Sequence, residues 1–292
     1  MTVFLVAALT IMFTLQSLFC KLFSKSYDSG SAALTSTVFS ISYGLFTGVV
    51  TFLVAGLKFS PSRETLWLGL INAAVLLLYN ISMIQTSRLG PYSFQMLSSL
   101  FGGIVVPMIY GAAFLQETLS GMQLFAIGLM LASFVLLNHK GLSLKGGSGK
   151  FFCWCAVLFL ANGFYGVLLN LQQLAMHGAQ RNEMIMLTFI GMAVLSLLLQ
   201  LARDPRALAR GFRIPGKPLA YLLLCCVCAA TACHLILYVL TLVDATVLYT
   251  IDNGGVLVLS VLCSCVLFQE KLDKAQLGGM ALAVGSIVLL SL

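Results

Sequence analysis

Apolar residues run along this chain in blocks of about 20, separated by short polar breaks rather than interleaved with polar positions. The blocks cover residues 2–23, 31–57, 65–87, 91–115, 119–138, 151–176, 184–202, 218–241, 246–268 and 272–292. A block of that length crosses a hydrocarbon core of roughly 30 Å as a helix rising 1.5 Å per residue. Hydrocarbon offers no partner for open backbone groups, so each block is predicted to be α-helical. Strands of a membrane barrel would alternate polar and apolar residues over about ten positions, and these blocks do not. Nor do they carry the one-sided apolar stripe of helices on a soluble globule.

The ten spans divide in two. The longest central break, residues 139–150, is rich in glycine (Gly141, Gly146, Gly147, Gly149) and reads as a linker between residues 1–138 and 151–292. A shift of 153 positions lays residues 114–137 on 267–290 without a gap, and ten of the 24 pairs are identical. Leucine pairs carry little weight in leucine-rich segments. The matched Gln116/Gln269, Glu117/Glu270 and Gln123/Gln276 carry more, because they fall at one helix boundary in each half. With five spans per half, the second copy starts from the opposite side of the membrane. The expected fold is therefore an all-α membrane protein of ten transmembrane helices in two inverted five-helix repeats, an arrangement that places binding sites near the midplane.

Composition agrees. Sixty per cent of the 292 residues are apolar and nine per cent charged, and the mean hydropathy is +1.03. That leaves too little polar surface to coat a soluble globule, for which roughly a quarter of residues are charged. The net charge of +7 sits in short connections. The run Arg203, Arg206, Arg210, Arg213, Lys217 reads as a topology-fixing loop rather than a nucleic-acid patch, so no nucleic-acid partner is expected. Connections after spans 1, 3, 5, 7 and 9 hold thirteen Lys and Arg against three (Lys58, Arg63, Arg181) after the others. By that asymmetry the odd-numbered connections face the cytoplasm and both termini lie outside, with the protein in the cytoplasmic membrane. The amino terminus runs directly into the first span, without a basic leader or small-residue cleavage site, and reads as an uncleaved helix.

The nine cysteines lie nearly all inside apolar blocks. Spacings such as Cys153/Cys155 and Cys225/Cys226/Cys228 spread thiols around a helix, and no histidine or second pair completes a metal site, so neither metal nor cofactor is expected.

Each half ends with a span, then Gln-Glu-x-Leu, then a final glycine-containing span: Phe114-Leu-Gln-Glu-Thr-Leu119 and Leu267-Phe-Gln-Glu-Lys-Leu272. In this the chain resembles the drug/metabolite transporter superfamily in its EamA-type ten-helix form, over nearly its whole length. The resemblance implies transport of a metabolite or drug-like solute, termini inside rather than outside, and a structural role for Glu117 and Glu270. It also implies a proline midway along the fourth helix of each half. Here Gly102-Gly103 and Gly254-Gly255 hold that place, with Pro107 a turn beyond the first pair.

Asp252 is the one charged side chain well inside a span. A carboxylate there costs at least ~2.5 kcal/mol and should face a wet cavity or a partner. It reads either as a proton- or cation-binding group or as a neutral acid in a structural hydrogen bond. Tyr249 and Asn253 share its face, and Ser99 is its counterpart in the first half, with Gln95 nearby. An acid on one half alone suits a cationic or zwitterionic solute, or a proton, better than an anion. His234 and Tyr238 lie one turn apart on the eighth span, with Tyr79 and Asn80 in the comparable stretch of the third. A histidine near the acid would form a proton relay; otherwise it bonds between helices. Asn162 and Tyr165, and less so Asn170 and Gln16, either line a pathway or join helices.

The expectation is a secondary active transporter of a small solute, proton-coupled or exchanging, acting as a monomer or homodimer within the lipid bilayer. The alternatives are a membrane-embedded enzyme and a channel. No phosphate-binding G-x-x-x-x-G-K-[ST] loop occurs, which argues against ATP hydrolysis. Neither does H-E-x-x-H or a second membrane aspartate, which argues against an enzyme.

Overall fold

The computed structural model describes residues 2–27, 29–89, 92–114, 120–137, 149–206, 211–212, 214–268 and 273–291. Among them are ten long helices: α1 (Thr2–Ser26), α2 (Ala32–Val54), α3 (Arg63–Leu89), α4 (Tyr92–Phe114), α5 (Gly121–Leu137), α6 (Gly149–Met176), α7 (Arg181–Arg203), α8 (Gly216–Val239), α9 (Ala245–Phe268) and α10 (Lys274–Ser291). The protein is an all-α membrane protein. Among the described residues, six helices are long and apolar enough to cross a bilayer by length and composition (α1, α2, α3, α6, α7 and α8), while α4, α5 and α10 give shorter apolar stretches.

Helix ends follow local chemistry. At α2 the Ser31 side chain accepts from the Leu34 amide, satisfying one donor the first turn leaves open. α3 runs to Leu89 and α6 begins at Gly149, each two residues beyond the boundary read from the apolar pattern. Gln116, Glu117, Gln269 and Glu270, and most of the expected linker, lie outside the described residues.

The packing has an internal regularity. α2 lies against α7, α4 against α9 and α5 against α10; α1 packs on α8 as α3 packs on α6. Each major packing maps onto another, or onto itself, when every helix is exchanged for the one five places along. Two such pairs are unequal: α4–α6 and α3–α7 are extensive, whereas their counterparts α1–α9 and α2–α8 are slighter. At α5–α10, the fully buried Ser286 donates to the Ala126 carbonyl at 2.6 Å. Its partner at the 153-residue offset, Ser133, is equally buried and bonds the Met130 carbonyl of its own helix.

Glycines set how closely α4 approaches α6 and α9 approaches α1. A Cβ at Gly102 would lie 2.7 Å from the Phe159 carbonyl carbon of α6 and closer still to its oxygen. Gly255, its counterpart at the same offset, faces Thr10 of α1, where a Cβ would lie 2.6 Å from the threonine methyl. Pro107 sits inside α4 and carries no amide hydrogen, so the Gly103 carbonyl loses its helical donor.

Candidate functional site

The helix crossings leave a cavity of about 130 Å3 deep in the bundle. Its wall draws on α1 to α4 and on α6, α8 and α9. Contributions recur at helical spacing, which shows one face of each helix turned inward: Phe13, Gln16 and Ser17 from α1, and Tyr249, Asp252, Asn253 and Val256 from α9.

Asp252 is 5% exposed. The Thr10 hydroxyl lies 3.0 Å from its Oδ1 and also 3.0 Å from the Val6 carbonyl oxygen one turn back. Thr10 has a single hydroxyl proton. It therefore either donates to an ionised Asp252, or donates to Val6 and accepts from a protonated one. The Thr10–Asp252 contact joins α1 to α9, and the absent side chain at Gly255 makes room for it.

Three of the other polar groups are held by backbone acceptors. Tyr249 donates its hydroxyl to the Gly166 carbonyl at 2.8 Å. Asn253 Nδ2 donates to the Tyr249 carbonyl at 2.7 Å, and Asn162 Nδ2 to the Ser99 carbonyl at 2.8 Å. Both amides converge on Gly103, where a Cβ would come within 2.8 Å of Asn162 Nδ2 and 3.0 Å of the Asn253 amide. Gln16 donates from Nε2 to the Tyr43 hydroxyl at 2.8 Å, while its buried Oε1 has no hydrogen-bond partner among the described residues. Tyr165 meets the Cys233 thiol, 3.7 Å from oxygen to sulfur.

Of the residues singled out in the sequence, Asp252, Tyr249, Asn253, Tyr79, Ser99, Asn162, Tyr165 and Gln16 share this cavity. The side chain of Gln95 lies outside those the structure describes. Asn80 is next door: it donates toward Ser40 Oγ at 3.4 Å and Met192 Sδ at 3.1 Å, and lines a smaller void of about 50 Å3. His234 and Tyr238 are elsewhere. His234 Nε2 lies 3.3 Å from Thr51 Oγ1 of α2, and Tyr238 is 37% exposed beneath the Arg181 guanidinium, 5.3 Å from its ring centre. The proton relay between His234 and Asp252 therefore has no geometry to support it. Cys233 occupies the inward face of α8, and His234, the next residue, is turned about 100° away.

Sequence reasoning passed over Thr10, Ser17, Tyr43, Gly103 and Cys233. Thr10 had one available signal: the 153-residue offset pairs Gly102 with Gly255, and these mark the points where α4 touches α6 and α9 touches α1.

The smaller void shares Gln16, Ser17 and Tyr79 with the main cavity. It continues past Cys20 and Met83 to Ser24, Thr35 and Ile84, at the end of the bundle where α1 and α3 finish. At the opposite end the connections are tied together. Gln180 Oε1 accepts from the Ser62 amide at 2.7 Å, and Gln172 Nε2 donates to the Ala179 carbonyl at 2.9 Å.

No curated protein matches the sequence. A solved crystal structure, described only as that of a protein, is similar with a TM-score of 0.73 over 98% of this chain and 94% of its own, at 16% identity. At that identity the likeness speaks for the fold. The family model that matches, over residues 152–292, is the EamA-like transporter family. The match spans α6 to α10 and includes Asp252 and its neighbours, so residues 152–292 are similar to the EamA-like transporter family.

Proposed function

We propose that this protein is a secondary active transporter of a small cationic or zwitterionic solute, in which proton and solute compete for Asp252. The carrying observation is the cavity itself: both halves build it, and the acid bridges them through Thr10. The two arrangements open to the Thr10 hydroxyl suit an acid that gains and loses a proton in each cycle. Tyr43, Tyr79 and Tyr165 add aromatic rings to the wall, and ring faces attract cations. Tyr249, Asn253, Ser99 and Asn162 supply the polar groups that orient a bound solute.

In this reading residues 1–138 and 151–292 are the inverted repeats, joined by 139–150, and they rock about the midplane. The exchange regularity of the packing supports the repeat, and its unequal pairs fit a conformation open at one end. The void toward Ser24 and Ile84 makes the open end that of the odd-numbered connections, which the Lys and Arg count puts in the cytoplasm of a cell with this protein in its cytoplasmic membrane. The Ser62–Gln180 tie closes the other.

The test is uptake into proteoliposomes with and without a pH gradient and with unlabelled solute inside. Coupled, counter-substrate-accelerated uptake is expected for the wild type, and Asp252→Asn should lose it while folding normally. Undiminished coupled uptake by that variant would refute the reading. Non-saturating flux that internal solute does not accelerate would make the protein a channel.

A further inference from the structure

A second cavity, of about 110 Å3, lies apart from the central one between α2, α3, α6 and α7. Ser36 of α2 and Ser196 of α7 line it; they are 4% and 2% exposed, and neither hydroxyl has a hydrogen-bond partner among the described residues. Buried hydroxyls are almost always bonded, so two orphans lining one cavity point to an occupant that accepts from them.

The wall is graded along the membrane normal. Arg203, at the end of α7 and exposed, stands with Trp154 and Gln85 at the mouth. Ser196 is seven residues below Arg203 on α7, about 10 Å deeper at 1.5 Å per residue. Ile81 and Leu77 lie one and two turns below Gln85 on α3. Leu199 at the edge is 46% exposed, so the cavity meets the lipid-facing surface of the bundle. Asp204, the residue after Arg203, accepts at its Oδ1 from the Arg206 amide at 3.0 Å.

A cation at the mouth, hydroxyl donors one to two turns down and aliphatic side chains beneath reproduce the order of a glycerophospholipid: phosphate, ester carbonyls, acyl chain. The mouth is on the end of the bundle whose connections hold thirteen of the sixteen Lys and Arg residues, the charge complement of an anionic leaflet. We infer that this cavity is a binding site for an anionic diacyl phospholipid, with Arg203 on the head group and Ser36 and Ser196 on the ester oxygens. It draws on the membrane placement of the helices and is independent of what the central cavity carries.

The test is native mass spectrometry of the full chain from detergent containing phosphatidylglycerol and phosphatidylcholine with identical acyl chains. Glycerol 3-phosphate serves as a soluble arm. Phosphatidylglycerol should be retained about fivefold over phosphatidylcholine, the preference that one well-placed cation provides. Arg203→Gln should abolish that preference without releasing phosphatidylcholine. Ser36→Ala with Ser196→Ala should lower retention of both lipids, with the melting temperature of the lipid-free protein confirming the fold. If that double variant does not fold, the exposed Arg203→Gln decides alone. Equal retention of the two lipids by the wild type, or protection by glycerol 3-phosphate equal to that by the lipid, would overturn the inference.

Discussion

Gly102 allows the sharpest test of the helix crossings that shape the central cavity. In Gly102→Ala the new Cβ would lie 2.7 Å from the Phe159 carbonyl carbon and 2.8 Å from its Cα. Ordinary contact begins near 3.4 Å and the Phe159 carbonyl oxygen lies closer than its carbon, so α4 must retreat from α6 by more than about 0.7 Å, because the obstacle is backbone and cannot rotate aside. Overpacking of this kind costs about 1–3 kcal/mol. Taking about 2 kcal/mol, and roughly 2–4 °C per kcal/mol, the melting temperature should fall by about 4–8 °C. Gly255→Ala is the internal control: it meets the Thr10 methyl at 2.6 Å, an end group that can turn. It should lose less than about 1 kcal/mol, within the range of adjustable contacts. It should still impair transport, because turning Thr10 breaks the bond to Asp252. A thiol-reactive fluorophore reads both, since Cys225, Cys226 and Cys233 are buried and become labelled on unfolding. If Gly102→Ala melts with the wild type, or Gly255→Ala melts lower, the close approach of α4 and α6 described here is wrong.

Three other perturbations separate cavity from scaffold. Gly103→Ala pushes on the Asn162 and Asn253 amides rather than on backbone, so it should raise KM for the transported solute severalfold with little change in melting temperature; the reverse pattern would place those amides outside the binding site. His234→Ala should leave transport and its pH dependence near wild type and cost about 0.6 kcal/mol, a typical interhelical hydrogen bond, as read by thermal unfolding. A reporter active only in the cytoplasm, fused after Leu292, should be inactive if the odd-numbered connections are cytoplasmic; activity would favour the termini-inside arrangement that the family resemblance implies.

The apolar blocks alone determined that the chain is helical and lies in a membrane, because hydrocarbon leaves the backbone no other way to satisfy its hydrogen bonds. They also placed most helix ends within a few residues. The cost of a buried charge picked out Asp252, since an acid at the seventh residue of an apolar span needs a wet or paired environment wherever the helix is placed. What sequence could not supply was rotation. A helix that is apolar around its whole circumference carries no stripe to say which face turns inward, so Cys233 and His234 were equally eligible until α8 packed against α1. The same holds on α1, where Thr10 becomes the partner of Asp252 only because Gly255, some 245 residues away, lets the two helices touch. Close packing between helices far apart in the chain fixes these rotations, and it exists only in the assembled bundle.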